Sequence, residues 1–336
     1  MAIKVRKTAI LAKEETSYGT KPTLDPSVDA IEVVDLSLDI TSDFVERNPY
    51  KSSYTKTSPL VAKQSYTLSF NVELAGTGTQ SNGTTIPRWT RLLKACGCRL
   101  ISVAETTAGA GDGYTRVVPY TDSTDSLSFE VYADGVRFDI TGARGKANIV
   151  FEANQIARIE FEFNGIYNSP VDATMPTVTY ESLQTPVLCR NSQMTMGGTF
   201  SNGDDTTNTP PSVSGGYAPI LSALNMNINN DLVQREDLNA LYGVGAIEII
   251  DRMVEGSLNP DMMKKAEYDI WTLFENGTAQ TIKIQNGNTA GAIFELFIPQ
   301  SVIKSLGIGD RDSIRTFDIG YTAVGDTDDE FVFVLR

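Results

Sequence analysis

The sequence predicts a mainly β protein in which a sheet-and-helix unit occurs twice in tandem. Three observations carry this reading. Several segments alternate apolar and polar residues with period 2, turn signals separate them, and three stretches recur in the same order in both halves of the 336-residue chain. Alternation of that period places one face of a sheet on a core and the other in water.

The strand signals come in order. They are residues 36–40 (LSLDI), 66–74 (YTLSFNVEL), 127–131 (LSFEV) and 158–163 (RIEFEF). Turns are expected at 75–78 (AGTG), 133–135 (ADG) and 141–145 (TGARG). Asp134-Gly135 suits a tight hairpin, because Gly accepts positive φ at no steric cost. Helices are few. Residues 87–97 form one: Pro87 stands in the first turn, Trp89, Leu92, Leu93 and Cys96 share a face, and Gly97 follows the end. Residues 261–275 form another, with Met262, Ala266, Ile270 and Phe274 on one stripe and a stop at Asn276-Gly277.

The repeat rests on three matches. Residues 36–47 (LSLDITSDFVER) lie on 224–235 (LNMNINNDLVQR), the helix residues Trp89 and Trp271 coincide, and 159–165 lies on 314–320. The expected organisation is an N-terminal arm (1–30), repeat 1 (31–186) and repeat 2 (187–336). The polar segment 201–216 (SNGDDTTNTPPSVSGG) follows the expected first strand of repeat 2 (193–200) and reads as a loop unable to pack a core. Residues 48–59 form a second long loop carrying Tyr50, Lys51, Tyr54 and Lys56; long loops on a rigid sheet are usually functional.

Composition excludes several functions. The chain has no histidine, which removes Ser-His-Asp and Cys-His nucleophiles and every His-ligated metal site. Lys plus Arg is 28 against 42 Asp plus Glu, a net charge of −14 that opposes tight binding to nucleic-acid phosphates. No stretch reaches the ~18 apolar residues of a membrane span, and the apolar run at 9–12 is too short for a signal peptide. Cys96, Cys98 and Cys189 complete no zinc set and read as free buried thiols. The Gly-rich stretches 76–78 and 109–113 lack the frame of a phosphate-binding loop. No cofactor or metal is expected, and no enzyme activity.

Paired carboxylates stand at Glu160 and Glu162 on the polar face of one strand. Such a pair can in principle serve glycoside hydrolysis. Asp39, Glu73 and Glu130 occupy the same kind of position on other strands, so a repeated acidic sheet face is the simpler reading.

Residues 11–23 (LAKEETSYGTKPT) resemble the opening of bacteriophage tail tube proteins, also called major tail proteins. Similar stretches follow in order at 45–47, 72–76, 89–97, 127–165, 189–198 and 247–260, covering most of the chain. The resemblance implies two tandem tail-tube-like β-sandwich or barrel domains, each with one flanking α-helix. Six such domains close a ring around an inner barrel, so a duplicated chain needs three copies: a pseudo-hexameric trimer. Rings stack head to tail into a tube that conducts the genome. The acidic face then has a purpose, since an acidic lumen repels DNA phosphates where a basic one captures them. The lumen candidates are Asp39, Glu73, Glu130, Glu160 and Glu162. Lys4, Arg6 and Lys7 of the arm, with Tyr50, Lys51, Tyr54 and Lys56 of the long loop, are the inter-ring candidates. Trp89 and Trp271 are the helix anchors. Expected partners are further copies of the chain, a tape measure protein, and tail-tip and terminator proteins, with DNA passing through unbound and no membrane involved. The expected location is the virion tail, assembled in the host cytoplasm, on a long non-contractile (siphovirus) tail. The alternatives are a tube-related baseplate or terminator protein, a β-sandwich binding module from outside phages, and the Glu160/Glu162 glycosidase.

Overall fold

Alternating segments of this length need partner strands to satisfy their backbone groups, and they find them almost wholly by antiparallel pairing. The computed structural model describes residues 7–78, 85–106 and 112–336. It is 54% strand and 4% helix, and strands supply most of the buried apolar residues. The first half carries β1 (Thr8–Glu14), β2 (Ala30–Ile31), β3 (Val34–Val45), β4 (Leu60–Glu73), β5 (Cys98–Val103), β6 (Tyr114–Pro119), β7 (Leu127–Ala133), β8 (Val136–Glu152), β9 (Arg158–Tyr167) and β10 (Val171–Asp172). The second half carries β11 (Gln193–Met196), β12 (Thr199–Ser201), β13 (Ser212–Ser214), β14 (Leu221–Glu236), β15 (Val244–Pro260), β16 (Gln280–Asn286), β17 (Phe294–Arg311), β18 (Ile314–Ala323) and β19 (Val332–Leu335). A 3-10 turn (Arg88–Thr90) leads into α1 (Arg91–Lys94), and α2 is Ile270–Asn276.

The long strands form one antiparallel run in the order β3-β4-β9-β8-β14-β15-β18-β17. The first half supplies the first four strands and the second half the last four. They join where Ala147 to Glu152 of β8 pair with Ile228 to Ala223 of β14. A second layer repeats the same scheme twice: β1 and β7 continue from the first half of β8, and β11 and β16 continue from the first half of β17. β19 also crosses between halves, pairing with both β17 and β6. The layers close on a shared apolar core that draws Phe70, Phe129 and Phe163 from one half and Phe294, Phe317 and Tyr321 from the other.

Several expectations change. Residues 141–145 do not end a strand. They lie inside β8, where the pairing to β9 shifts between Thr141 and Arg144 and Gly142 takes φ 59°. The feature is a β-bulge, which bends the strand as its outer neighbour changes from β7 to β14. The second helix is shorter than its apolar stripe predicts. The N–H groups of Asp261 and Met262 donate to Ile220 and Arg315 at 2.7 and 2.8 Å, so this stretch still follows the sheet. The helix starts only after Asp269, whose carboxylate accepts from the Thr272 N–H at 3.0 Å, and ends at Gly277 with φ 60°. Segment 201–216 is built rather than loose: β12 and β13 pair, the Tyr114 hydroxyl donates to Asp205 at 2.7 Å, and Arg116 pairs with the same carboxylate. Residues from Thr8 onward, expected in an arm, run along β7 and bury Leu11 and Ala12 completely. The expected hairpin at Asp134-Gly135 joins β7 to β8, with both residues at positive φ.

The strand register also moves one repeat match. β9 and β18 hold corresponding places, but counting from the β3–β4 and β14–β15 pairs sets Ile159 against Phe317, three residues beyond the sequence match at Ile314. The first match keeps its frame. The β3–β4 register shifts after Asp43 and the β14–β15 register after Asp231, at the same place in both aligned strands.

Candidate functional site

Residues directly opposite one another on paired strands project from the same side of a sheet. The strand register therefore defines the outer face of the eight-strand run. Asn71, Glu160, Asn148, Asn227, Glu255 and Thr322 form one unbroken polar rung across six strands and both halves. The next rung holds Glu73, Arg158, Val150, Asn225, Ser257 and Gly320. On the other side lie Ser37, Ser69, Glu162 and Lys146, and beyond them Asp39, Thr67 and Asn164.

Asp39, Glu73, Glu160 and Glu162 are thus brought onto one face. Glu162 and Asp39 are exposed; Glu160 and Glu73 are half-buried. Glu160 accepts from Arg158 at 2.9 Å and from Asn148 at 3.0 Å. Glu130 is elsewhere. It pairs opposite Leu11 and Asp139, is 6% exposed, and holds Lys21 at 2.5 Å and the Tyr132 hydroxyl at 2.8 Å. Its carboxylate fixes the N-terminal segment to β7 and does not share the polar face. Glu152, Glu255 and Asp318 are acids of this face that the sequence reading did not single out. The sequence match sets Asp318 on apolar Phe163, so only the strand register, which sets it on Glu160, reveals its place.

Lys4 and Arg6 lie outside the described residues. Lys7 forms an ion pair with Asp134 in the β7–β8 turn. Tyr50, Lys51, Tyr54 and Lys56 sit on the exposed connection between β3 and β4, with both tyrosine rings clear of the protein. Trp89 is 2% exposed, donates its indole N–H to the Ala75 carbonyl at 3.1 Å and packs on Phe294. Trp271 is half-buried, edge-on to Phe317 with ring centroids 5.3 Å apart.

The junction that makes the face continuous is held by buried polar groups. Asn230 on β14 is 1% exposed and donates to the Cys96 and Gly145 carbonyls, both at 2.8 Å. Arg144, in the β8 bulge, donates to the Ile247 carbonyl at 2.9 Å and to the Thr124 carbonyl at 3.1 Å, and pairs with Glu248. The Tyr18 ring lies 5.0 Å under that guanidinium, and its hydroxyl donates to the Gly142 carbonyl and accepts from the Ile247 N–H. Burial pushes the Tyr18 phenol up to about 12, against the opposing pull of the Ile247 backbone contact and Arg144. Cys96 and Cys98 are buried, and burial raises both thiols, Cys98 to about 12. Among the described residues no group of three Cys, Asp or Glu is placed to hold a metal ion, and no helix is long and apolar enough to cross a membrane.

The family model described as "Phage tail tube protein" matches residues 6–323. No curated protein matches the chain.

Proposed function

Because the chain belongs to the phage tail tube protein family, we propose that it forms trimeric, pseudo-hexameric rings whose stacked inner barrels conduct DNA. Family membership makes it a structural component of the virion tail that assembles with other tail proteins. The ring, the lumen and the passage of DNA are the proposal. The observation that carries it is the polar rung from Asn71 to Thr322, which crosses the boundary between the halves without a break.

A single chain already joins two four-strand units edge to edge, and three such chains supply six. The repeated strand order supports a duplicated unit, with β1 in the first copy corresponding to β11 in the second. The polar face lines the lumen. Asp39, Glu73, Glu160 and Glu162, with Glu152, Glu255 and Asp318, give it a negative potential, and asparagines between them keep it hydrated. Lys146 and Arg158 temper that charge locally. Glu160 and Glu162 act here as lumen charge rather than as an acid–nucleophile pair, and no enzyme activity is proposed. The Tyr50–Lys56 connection and Lys4, Arg6 and Lys7 bridge stacked rings. A tape measure protein fills the tube during assembly in the host cytoplasm, and tip and terminator proteins close its ends. The tail is long and non-contractile.

Negative-stain electron microscopy of the purified protein over a concentration series tests this reading. Stacked hollow rings with three-fold symmetry and six similar lobes are expected. Unstacked rings at every concentration indicate a terminator or baseplate protein. Monomers throughout, even on a tail-tip initiator, overturn the tube.

A further inference from the structure

We propose that the side chains of Lys21 and Asp139 join through an amide bond, with Glu130 moving the protons, so that the N-terminal segment is covalently stapled to β8. The bond lies within one chain and does not depend on the tube reading.

Strand register creates the site. Glu130 of β7 and Asp139 of β8 stand directly opposite one another. Like charges so placed repel, yet these side chains are only 8% and 14% exposed. One ammonium serves both: Lys21 Nζ lies 2.5 Å from Glu130 Oε1 and 2.7 Å from Asp139 Oδ1. Lys63 also meets two carboxylates, Asp43 and Glu236, but those are 54% and 74% exposed and remain solvated. At Lys21 an amine, an acyl group and a second carboxylate share a site from which most water is excluded.

The surroundings hold each group in place. The Tyr132 hydroxyl donates to Glu130 Oε2 at 2.8 Å, which leaves Oε1 to Lys21. Arg137 meets both oxygens of Asp139, with Nε 2.9 Å from Oδ1 and Nη2 3.0 Å from Oδ2. Pro22 restricts the backbone beside Lys21. Lys13, paired with Asp29, donates to the Thr23 carbonyl at 2.8 Å and ties down the same stretch. Leu11, Leu24, Ala30 and Tyr132 pack together on this side of β7. Nζ therefore rests against an oxygen bonded to the carbon it would attack, and such placement replaces a very high reactant concentration.

The step is a condensation. Glu130 takes one proton from the Lys21 ammonium and passes it to Asp139 Oδ1. The freed Nζ lone pair attacks Cγ and forms the N–C bond, while the Arg137 guanidinium stabilises the negative charge that develops on Oδ2. A second Nζ proton travels through Glu130 to Oδ1. The Cγ–Oδ1 bond breaks and Oδ1 leaves as water. The amide keeps one N–H, and no oxidant, reductant or cofactor is consumed.

Mass spectrometry of the full-length, denatured protein tests the bond. The expected chain weighs one water less than its sequence requires, and trypsin yields a branched peptide joining residues 14–47 to 138–144. Lys21→Arg keeps the cation but brings no amine nucleophile. It is expected to show wild-type circular dichroism and its full sequence mass. Followed from cell-free synthesis, Glu130→Gln is expected to close the bond about a hundredfold more slowly than the native chain, the usual contribution of a placed acid–base group. A folded native chain that keeps its full mass through prolonged incubation at neutral pH overturns the amide and leaves the tube reading untouched. A lost water that persists in Lys21→Arg also overturns it, because the water then comes from another site, such as imide formation at Asp134-Gly135. Bond closure at the native rate in Glu130→Gln overturns the assignment of proton transfer to Glu130.

Discussion

At the scale of single residues, Asn230 and Arg144 are buried polar groups that bridge the halves. Asn230 satisfies two buried carbonyls with one amide. Asn230→Leu leaves both unpaired, and unmet buried acceptors cost about 1–3 kcal/mol each. A loss of about 2–4 kcal/mol in denaturant unfolding is expected. Trp89→Ala is expected to cost about 3–5 kcal/mol, the usual range for a buried aromatic, and Trp271→Ala distinctly less, because that ring is only half-buried. Tyr18 sets a pH dependence. Its phenol rises from the ordinary 10.0 to about 12 in the folded chain, chiefly through burial. A raised folded value means the neutral form is favoured by folding. That contribution is whole below pH 10.0 and is lost as pH climbs toward about 12. Alkaline titration followed by tyrosinate absorbance is expected to show Tyr18→Phe removing one late-ionising phenol.

At the scale of elements, the sequence pattern is clear wherever one face is wet. The strands 36–40, 66–74 and 158–163 alternate cleanly because their polar residues meet solvent, and they appear as β3, β4 and β9. It fails where the tertiary setting changes partway along an element. The 141–145 stretch has the composition of a turn, yet β8 continues through it, because β14 takes over from β7 as partner. Gly142→Ala tests this bulge. The left-handed backbone costs an L-residue about 1–2 kcal/mol, and the new Cβ falls 2.8 Å from the Tyr18 ring, so a clear drop in Tm is expected. The overlong second helix fails for the opposite reason. Its apolar stripe is real, but sheet hydrogen bonds capture its first residues. Asp269→Ala is expected to cost about 1 kcal/mol, the value of a helix N-cap, with little effect from a change at Asp261 on helix content.

At the scale of the whole molecule, the two halves share a sheet, a core and the β19 crossing. They are expected to unfold together. Calorimetry is expected to give one transition whose van't Hoff and calorimetric enthalpies agree, where independent repeats give two. The charge of the polar face is a property of the assembly, as acids drawn from six strands reinforce one another only when the register aligns them.

The sequence by itself determined the mainly β class, the Asp134-Gly135 hairpin, the aligned strands beginning at Leu36 and Leu224, the family, and a set of five acids of which four lie on the polar face. Each is a local matter: period 2, a residue tolerant of positive φ, or a string of matching side chains. Only the tertiary structure decided that Glu130 turns inward to hold Lys21, that residues from Thr8 onward complete the first half, and that Ile159 corresponds to Phe317. Those depend on which strands lie side by side. Strand partners are chosen by burial and hydrogen bonding between segments distant in sequence, and period-2 alternation is identical for every partner a strand might take.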